Sequence, residues 1–448
     1  MADLDPAWLE ELSEFLRIPS ISADAEHKDD VRLAAEWVRD FIRRAGGEAE
    51  LVETPTFPLV VGEVRASDSR TRCVPTVLVY GHFDVQPPGS PAEWETPPFE
   101  PAVRDGWLYG RGTADDKGQL YALLKATALL VEEGGLPVNV RFACDGEEET
   151  GGQEIVDFIK RDERGADAAV VFDSAMLRPG APVFHTATRG LNYFHVRVRT
   201  GERDLHSGVF GGAALSATEA LMQALGGVLP GENGLVPEPL RTGIVPPSDE
   251  ELEAWKELDP GAQVLAEGGA RPAHAQSVEE FYVRTWVEPA VTVHGVAGGE
   301  PHLQKTVLPV FAEANVSIRL APGQDPDEIA SVFERLLRES APEGAEVEVE
   351  RWAFSPAGLV PPDAPAIRLA QDALEQVAGA RPLLIRVGGS LPIVPALAER
   401  AIPTVLTGFD LPQGNIHSPN ERLRVDHIPL AVDAARELFR RFAELPTG

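Results

Sequence analysis

Helical and strand-like hydrophobic patterns alternate over residues 1–187. Apolar side chains recur at helical spacing over residues 8–16 and 31–42, and the continuous apolar run TVLVYG follows them. A third helical pattern comes after Asp116, and two further apolar runs, PVNVRFACDG and DAAVVF, bracket a helix near residues 153–161. Short apolar strands that alternate with helices predict an α/β fold with a mostly parallel sheet and helices on both faces.

The pattern changes at residues 188–190. The stretch LNYFHVRVRT alternates apolar and polar residues, as a half-exposed strand does. Helical and strand-like stretches then follow in the order β-α-β-β-α-β, which predicts an inserted α+β module of the ferredoxin-like type. Residues 230–285 interrupt this module with a Pro- and Gly-rich segment. Because that segment is long for a simple connection, we expect it to carry helices or a function of its own.

From about residue 357 the first pattern returns, with a helix in APAIRLAQDALEQV, a strand in PTVLT and a closing helix in LAVDAARELFRRF. The simplest architecture is one α/β domain in two parts, residues 1–187 and 357–448, which the α+β domain of residues 188–356 interrupts. The length of 448 residues agrees with more than one domain.

The composition excludes several classes of protein. The formal net charge of -31 argues against nucleic acid binding, which needs a basic surface. The only two cysteines are Cys73 and Cys144, so neither a disulfide framework nor a thiolate zinc pattern is expected, and Cys144 reads as a core residue.

The N-terminal sequence predicts a helix with Asp5 as N-cap and Pro6 in its first turn, not a signal peptide. The sequence contains no apolar run of the 18 or more residues that a membrane span requires. We therefore expect a cytoplasmic protein without a membrane partner.

Acidic residues and histidines follow five strand-like runs, which are TVLVYG, LYGRGTA, PVNVRFACDG, DAAVVF and IPTVLTGFDLPQGNI. The residues concerned are His82, Asp84, Asp115, Asp116, Glu147, Glu148, Glu149, Asp173 and His417. Ligands collect beyond the carboxyl ends of the strands of an open α/β sheet, because the loops there converge on one crevice. If the strands share one sheet, these side chains meet at one place.

Each of these residues has an ordinary structural explanation when it is taken alone. One of the two adjacent aspartates suits a helix N-cap, Asp173 suits a strand end, and His417 suits a surface loop. The three adjacent glutamates are harder to explain, because their charges repel unless a cation, a proton or water intervenes. Together, two histidines, two aspartates and a glutamate form a mixed N/O set that suits Zn²⁺, or Mn²⁺ and Co²⁺.

Eight motifs occur in an order that resembles the co-catalytic dizinc exopeptidases. They are GHFDV, LYGRGTADDKG, EEETGG, VFDS, DLHSGVFGG, SIRLAP, GGSLP and NIHSPNERL. That family includes carnosinase-like dipeptidases, aminoacylases, carboxypeptidase G and succinyl-diaminopimelate desuccinylase. The resemblance spans nearly the whole chain and is closest to the carnosinase-like branch.

The resemblance implies two divalent metal ions, zinc in the first place, with Asp115 bridging both. His82 and Asp173 would complete one site, and Glu149 and His417 the other. Asp84 would orient His82, and Glu148 would be the general base. Glu147 receives no role from the resemblance.

The resemblance also implies that residues 188–356 form a lid that makes a homodimer. His206 would reach the active site of the partner subunit and stabilise the oxyanion. Arg319 would bind the C-terminal carboxylate of the substrate, and Thr306 and Ser390 match smaller substrate contacts.

One position departs from the carnosinase-like pattern, because Val387 stands before GGS where those enzymes usually carry a glutamate. The expected function is hydrolysis of an amide bond next to a free carboxylate, most simply in a dipeptide. An N-acyl amino acid hydrolase or a carboxypeptidase with the same chemistry is the alternative that Val387 keeps open. A non-catalytic metal-binding assembly protein is the remote one.

Overall fold

Residues 4–67 and 74–446 are described by a computed structural model, and Cys73 lies outside them. The strands of this described part are β1 Glu48–Val52, β2 Leu59–Val64, β3 Thr76–His82, β4 Ala102–Arg104, β5 Trp107–Tyr109, β6 Asn139–Asp145, β7 Ala168–Phe172, β8 Val183–Thr188, β9 Gly190–Arg199, β10 Leu205–His206, β11 Ala290–Gly298, β12 Val307–Leu308, β13 Phe311–Leu320, β14 Glu346–Ser355, β15 Leu383–Val387, β16 Thr404–Thr407 and β17 Arg422–Arg424.

The α-helices of the same residues are α1 Pro6–Leu16, α2 Lys28–Arg44, α3 Lys117–Glu132, α4 Gln153–Arg161, α5 Ser207–Phe210, α6 Ala217–Gly226, α7 Asp249–Ala254, α8 Gly261–Glu267, α9 Phe281–Trp286, α10 Pro326–Ser340, α11 Pro365–Ala378, α12 Ile393–Glu399 and α13 His427–Phe442. Among these described helices none is long and apolar enough to cross a bilayer. The predicted cap of α1 is confirmed, because the Asp5 side chain accepts a hydrogen bond from the Ala7 N–H.

The chain divides into two compact units. The first comprises residues 1–186, 360–385 and 392–448, and the second residues 187–359 and 386–391. The sequence pattern put the boundaries after residues 187 and 356, and it assigned residues 386–391 to the last part of the α/β domain. The second unit therefore also includes the short segment that contains Val387 and Ser390.

The first unit is built on a six-stranded sheet with the strand order β1-β2-β6-β3-β7-β16. Strands β6, β3, β7 and β16 run parallel, and β2 and β1 add an antiparallel edge. Consecutive residues of β3, β6 and β7 are buried, so both faces of these strands are covered. Cys144 lies in this core as a buried free thiol. The parallel strands bring the ends of β3, β6, β7 and β16 to one edge.

A small antiparallel sheet, β17-β5-β4, also belongs to the first unit. It corrects one predicted strand: β5 ends at Tyr109, and residues 110–116 form a loop before α3. Two glycines and two aspartates in this loop disfavour continued pairing, because Gly and Asp are depleted in strands.

The second unit has a four-stranded antiparallel sheet with the order β11-β13-β9-β14. Its strands and the helices α6 and α10 follow one another as β-α-β-β-α-β, the order that the sequence pattern predicted. One face of β9 is buried, and there Phe194 stacks on Phe333 of α10 at 4.6 Å between ring centroids. The expected helices of residues 230–285 are present as α7, α8 and α9. A buried ion pair between Glu251 and Arg386 (2.8 Å) ties this segment to the end of β15.

Candidate metal centre

The first group of possible metal ligands lies at the ends of β3 and β7. His82 is the last residue of β3, and Asp173 follows β7 directly. Asp115 comes from the loop before α3, and its Oδ1 lies 3.0 Å from His82 Nε2. Ligand atoms of the three residues lie within 4.8 Å of one another.

The second group consists of Asp115, Glu149 and His417, again with ligand atoms within 4.8 Å of one another. His417 Nε2 lies 2.9 Å from Asp115 Oδ2 and 3.1 Å from Glu149 Oε2. The two oxygens of Asp115 therefore face the two groups, one each. The structure thus brings all five predicted ligands together, with Asp115 common to both groups.

A loop positions His417 at this centre, whereas the sequence suggested the end of a strand. Strand β16 ends at Thr407, ten residues earlier, so His417 lies in a loop and not at a strand end. Its backbone φ is +58°, in the left-handed region that few residues other than glycine adopt. Such a conformation costs of the order of 1–3 kcal/mol and persists only where its surroundings hold it.

The electrostatics of the two groups reflect crowded carboxylates. Burial raises the pKa of Asp173 to about 7, and the charges of Asp115 and Glu149 add to this against the opposing effect of His82. Hydrogen bonds to Asp115 and Glu149 raise the pKa of His417 to about 10. Burial also raises the pKa of Glu148 well above its usual range, although His82 opposes this.

The opposite shift is found for Asp115. Burial opposes its ionisation, but hydrogen bonds with His417 and His82 outweigh burial and hold the pKa of Asp115 below its usual range. Burial would likewise lower the pKa of His82, yet its contacts with Asp115 and Asp84 raise it well above the ordinary value. The centre therefore concentrates negative charge that positive charge must balance.

Asp84 is fully buried and does more than the predicted orientation of His82 requires. Its Oδ1 lies 3.4 Å from His82 Nδ1, a long contact for a hydrogen bond. The same carboxylate accepts hydrogen bonds from the backbone N–H groups of Glu148 and Glu149, both at 3.2 Å. Asp84 thus fixes the backbone of the adjacent glutamates relative to the end of β3.

The three adjacent glutamates separate into different environments. Glu147 is buried and accepts a hydrogen bond from the Glu154 N–H at the start of α4 (3.0 Å), which gives it a structural role. Glu148 and Glu149 begin a short 3₁₀ helix that follows β6. Glu149 joins the second ligand group, while Glu148 belongs to neither group.

Gln86 is a contact that the sequence reasoning missed. Its Nε2 donates to Glu149 Oε2 at 2.8 Å and so orients that carboxylate. The sequence did contain an indication of this contact: His82, Asp84 and Gln86 are each two residues apart, and residues at that spacing in an extended segment lie on one side of it.

The predicted substrate contacts lie in the second unit, in two separate pairs. Arg319 Nη1 donates to Ser390 Oγ (3.0 Å), and Ser390 Oγ donates to the carbonyl oxygen of Arg189 (2.7 Å). His206 ends β10, which pairs with β12 so that His206 stands opposite Val307. Thr306 precedes β12, and its carbonyl oxygen accepts from the backbone N–H that follows His206 (3.0 Å).

Comparison with known proteins adds four findings. A family model described as peptidase family M20/M25/M40 matches residues 78–441. The Cys-Gly metallodipeptidase DUG1 of Saccharomyces cerevisiae is 26% identical over 99% of this chain and 97% of its own length. The human Beta-Ala-His dipeptidase is 27% identical over 92% of this chain and 81% of its own. The solved structure of an M20 family metallo-carboxypeptidase from Sulfolobus solfataricus superposes with a TM-score of 0.83 at 25% identity, over 98% of this chain and all of that one.

Proposed function

Since the chain belongs to the peptidase family M20/M25/M40, we propose that it is a two-metal dipeptidase that hydrolyses the amide bond next to a free C-terminal carboxylate. The observation that carries the proposal is the pair of ligand groups that share Asp115. The names of the yeast and human relatives, which refer to Cys-Gly and β-Ala-His, support dipeptides as the substrate class.

The donor set fits two divalent cations. His82, Asp115 and Asp173 would hold one ion, and Asp115, Glu149 and His417 the other. Without cations, burial first and the charges of Asp115 and Glu149 next raise the pKa of Asp173 to about 7. Imidazole and carboxylate ligands without thiolate suit Zn²⁺, and also Mn²⁺ or Co²⁺. When bound, the two ions would polarise the scissile carbonyl and make water a stronger nucleophile.

Glu148 is the general base of the proposed mechanism. It adjoins the ligand Glu149, and the bond from its N–H to Asp84 restrains its backbone. Glu148 would take a proton from the attacking water and pass it to the leaving amine. A catalytic base works best when its pKa lies near the operating pH. Burial favours its protonated form and nearby cations favour its ionised form, so the two influences oppose each other.

The second unit would act as the lid and bind the substrate. The guanidinium of Arg319, together with the Ser390 hydroxyl, would bind the C-terminal carboxylate, since its planar fork matches two carboxylate oxygens. His206, with Thr306 beside it on the β10-β12 ribbon, would donate a hydrogen bond to the oxyanion in the partner subunit. The homodimer, zinc as the metal and the cytoplasmic location all stay predictions.

A second candidate function is hydrolysis of N-acyl amino acids or release of C-terminal residues from longer peptides. Val387 favours it, because an apolar side chain in place of a glutamate removes a partner for the substrate ammonium. The solved Sulfolobus relative is named a carboxypeptidase, which also supports this alternative.

The first experiment compares free dipeptides with their N-acetylated counterparts on metal-reconstituted protein, with and without chelator. Cleavage of the free dipeptides that chelator abolishes is the expected result. Cleavage confined to the acetylated set would replace the dipeptidase with the second candidate. Failure to cleave either set would contradict the dipeptidase and leave longer peptides as substrates, and cleavage that survives complete metal removal would contradict the proposed chemistry.

A complementation experiment tests whether His206 acts across subunits. Glu148→Gln and His206→Ala proteins are each expected to be inactive. Mixed subunits that exchange partners would contain one site with an intact Glu148 and an intact His206 from the other chain. Activity should therefore return on mixing, and its absence despite proven subunit exchange would refute action in trans.

A further inference from the structure

One buried carboxylate connects the loop that carries Asp115 with the loop that carries His417. Glu421 lies four residues after His417, and its side chain is fully buried. Glu421 Oε1 accepts hydrogen bonds from the N–H groups of Ala114 (2.9 Å) and Asp115 (3.1 Å). Its Oε2 accepts from Arg111 Nη1 (2.6 Å) and from the Gly112 N–H (3.1 Å). Four donors from one loop thus converge on a single side chain.

Residues 112–115 lie beyond the end of β5, where strand pairing no longer fixes the backbone. The Glu421 carboxylate fixes it there instead. Pairing between β17 and β5 extends only to Tyr109, opposite Arg422, with one further bond from the Gly110 N–H to the Glu421 carbonyl oxygen. Beyond Gly110, Glu421 binds three of the next five backbone N–H groups. A peptide segment held at three N–H groups by one rigid acceptor has little freedom to move its side chains.

The position of Asp115 matters to both groups of ligands, because its two oxygens face His82 and His417 separately. A displacement of its backbone would change both distances at once. Removing a residue that orients a metal ligand typically lowers the metal affinity about 10–100-fold. Arg111 is itself nearly inaccessible and forms an ion pair with Glu421, so the buried carboxylate has a counter-charge.

We propose that Glu421 is a positioning residue that holds Asp115 at a fixed distance from His417 and thereby sets the affinity for both metal ions. The inference rests on the proposed two-metal function. Glu421 touches neither group of ligand atoms, and it acts through the backbone of Asp115.

The test measures Zn²⁺ binding to metal-free protein by isothermal titration calorimetry, with folding checked by circular dichroism. The deciding variant is Arg111→Met/Glu421→Gln, which removes both members of the ion pair and so avoids an unpaired buried charge. Glu421→Asp keeps the charge but withdraws the carboxylate from the loop by about 1.5 Å, one C–C bond. Glu437→Gln is the matched control, since Glu437 is buried on α13 and pairs with Arg441 (3.1 Å).

We expect the double variant to bind Zn²⁺ about 10–100-fold more weakly than the wild type, and the control to bind it normally. If the double variant is folded and keeps wild-type affinity, Glu421 only neutralises Arg111 and the inference is wrong. Should the double variant fail to fold, Glu421→Asp takes its place with the same expected loss and the same refuting result. A wild-type protein that binds no pair of Zn²⁺ ions would overturn the proposed function itself, a result distinct from unchanged affinity in the variants.

Discussion

Replacing Asp84 by Asn tests how the backbone of Glu148 and Glu149 is held beside the ligands. The Asp84 carboxylate accepts one N–H bond on each oxygen, both at 3.2 Å, and it is fully buried. An asparagine offers one oxygen and one NH₂ group. Its NH₂ group must therefore face one of the two backbone N–H donors, which leaves two donors opposed and one bond lost.

The size of the effect follows from these contacts. A hydrogen bond to a charged acceptor contributes about 1.5–3 kcal/mol, and the buried N–H left without an acceptor adds about 1–3 kcal/mol. We take about 3 kcal/mol as a conservative loss at the centre, and because 1.36 kcal/mol is tenfold in rate this corresponds to about 100-fold in kcat/KM. Most of the loss should appear in kcat, since Glu148 is the proposed base.

The assay is steady-state hydrolysis of the preferred dipeptide, with bound metal measured by atomic emission on the same samples. Asp157→Asn is the matched control, because Asp157 lies exposed on α4, where its carboxylate accepts a hydrogen bond from Gln153 (2.8 Å). A metal-loaded Asp84→Asn enzyme with activity within threefold of the wild type would refute the argument. Loss of metal from the His82 group alone would instead favour the role of Asp84 in orienting that imidazole.

Four other outcomes are expected. Glu148→Gln should keep its bound metal by atomic emission and lose about 10²–10⁴-fold in kcat, the usual contribution of a general base; near-normal turnover would remove Glu148 from that role. In the metal-free protein, the raised pKa of Asp173 means that the folded state binds this proton more tightly than the unfolded state. The resulting stability is full below about pH 3.9 and is lost as the pH rises through about 7, so Asp173→Asn should flatten the fall in urea midpoint over that range. Zn²⁺ at 100 times its Kd should raise the free energy of unfolding by about 2.7 kcal/mol for each of the two sites that it fills, and chelator should reverse the gain in a thermal melt. Arg319→Ala should raise KM at least about tenfold for substrates with a free carboxylate, the loss of one charged hydrogen bond, but not for C-terminal amides.

The residues nearest the strands were the most predictable part of the centre. His82 and Asp173 come directly after runs of buried apolar residues, and such runs identify the strands and their ends. Parallel strands end at a common edge of the sheet, so the meeting of these two side chains follows from the pattern alone. The alternation that links Asp84 to His82 also marked Gln86, which was overlooked because a lone glutamine suggests no metal chemistry.

Asp115 and His417 were predicted to belong to the centre, but the predicted reason was wrong. Both were expected at strand ends, and both lie in loops: Asp115 comes six residues after the end of β5, and His417 ten residues after the end of β16. A loop residue is placed by contacts from elsewhere in the chain, which no local hydrophobic period records. The strand-like pattern named these two residues for the wrong reason, and the ordered motifs of the family resemblance named them without depending on strand ends.

Glu421 shows why the supporting contacts escape sequence reasoning. Its four donors lie 306 to 310 residues away in the chain, so no spacing within a motif could reveal them. The two loop ligands need such long-range anchors because loops, unlike strands, are not fixed by a ladder of backbone bonds.

Two anchors in this protein are buried carboxylates that bind backbone N–H groups, Asp84 for the glutamate pair and Glu421 for the Asp115 loop. A carboxylate is suited to this work because it only accepts hydrogen bonds and offers two oxygens to several donors. The anchors differ in how their charge is balanced, because Glu421 pairs with Arg111 while Asp84 faces His82. The Asp84 anchor should therefore depend on the protonation and metal binding of His82, and the Glu421 anchor should not.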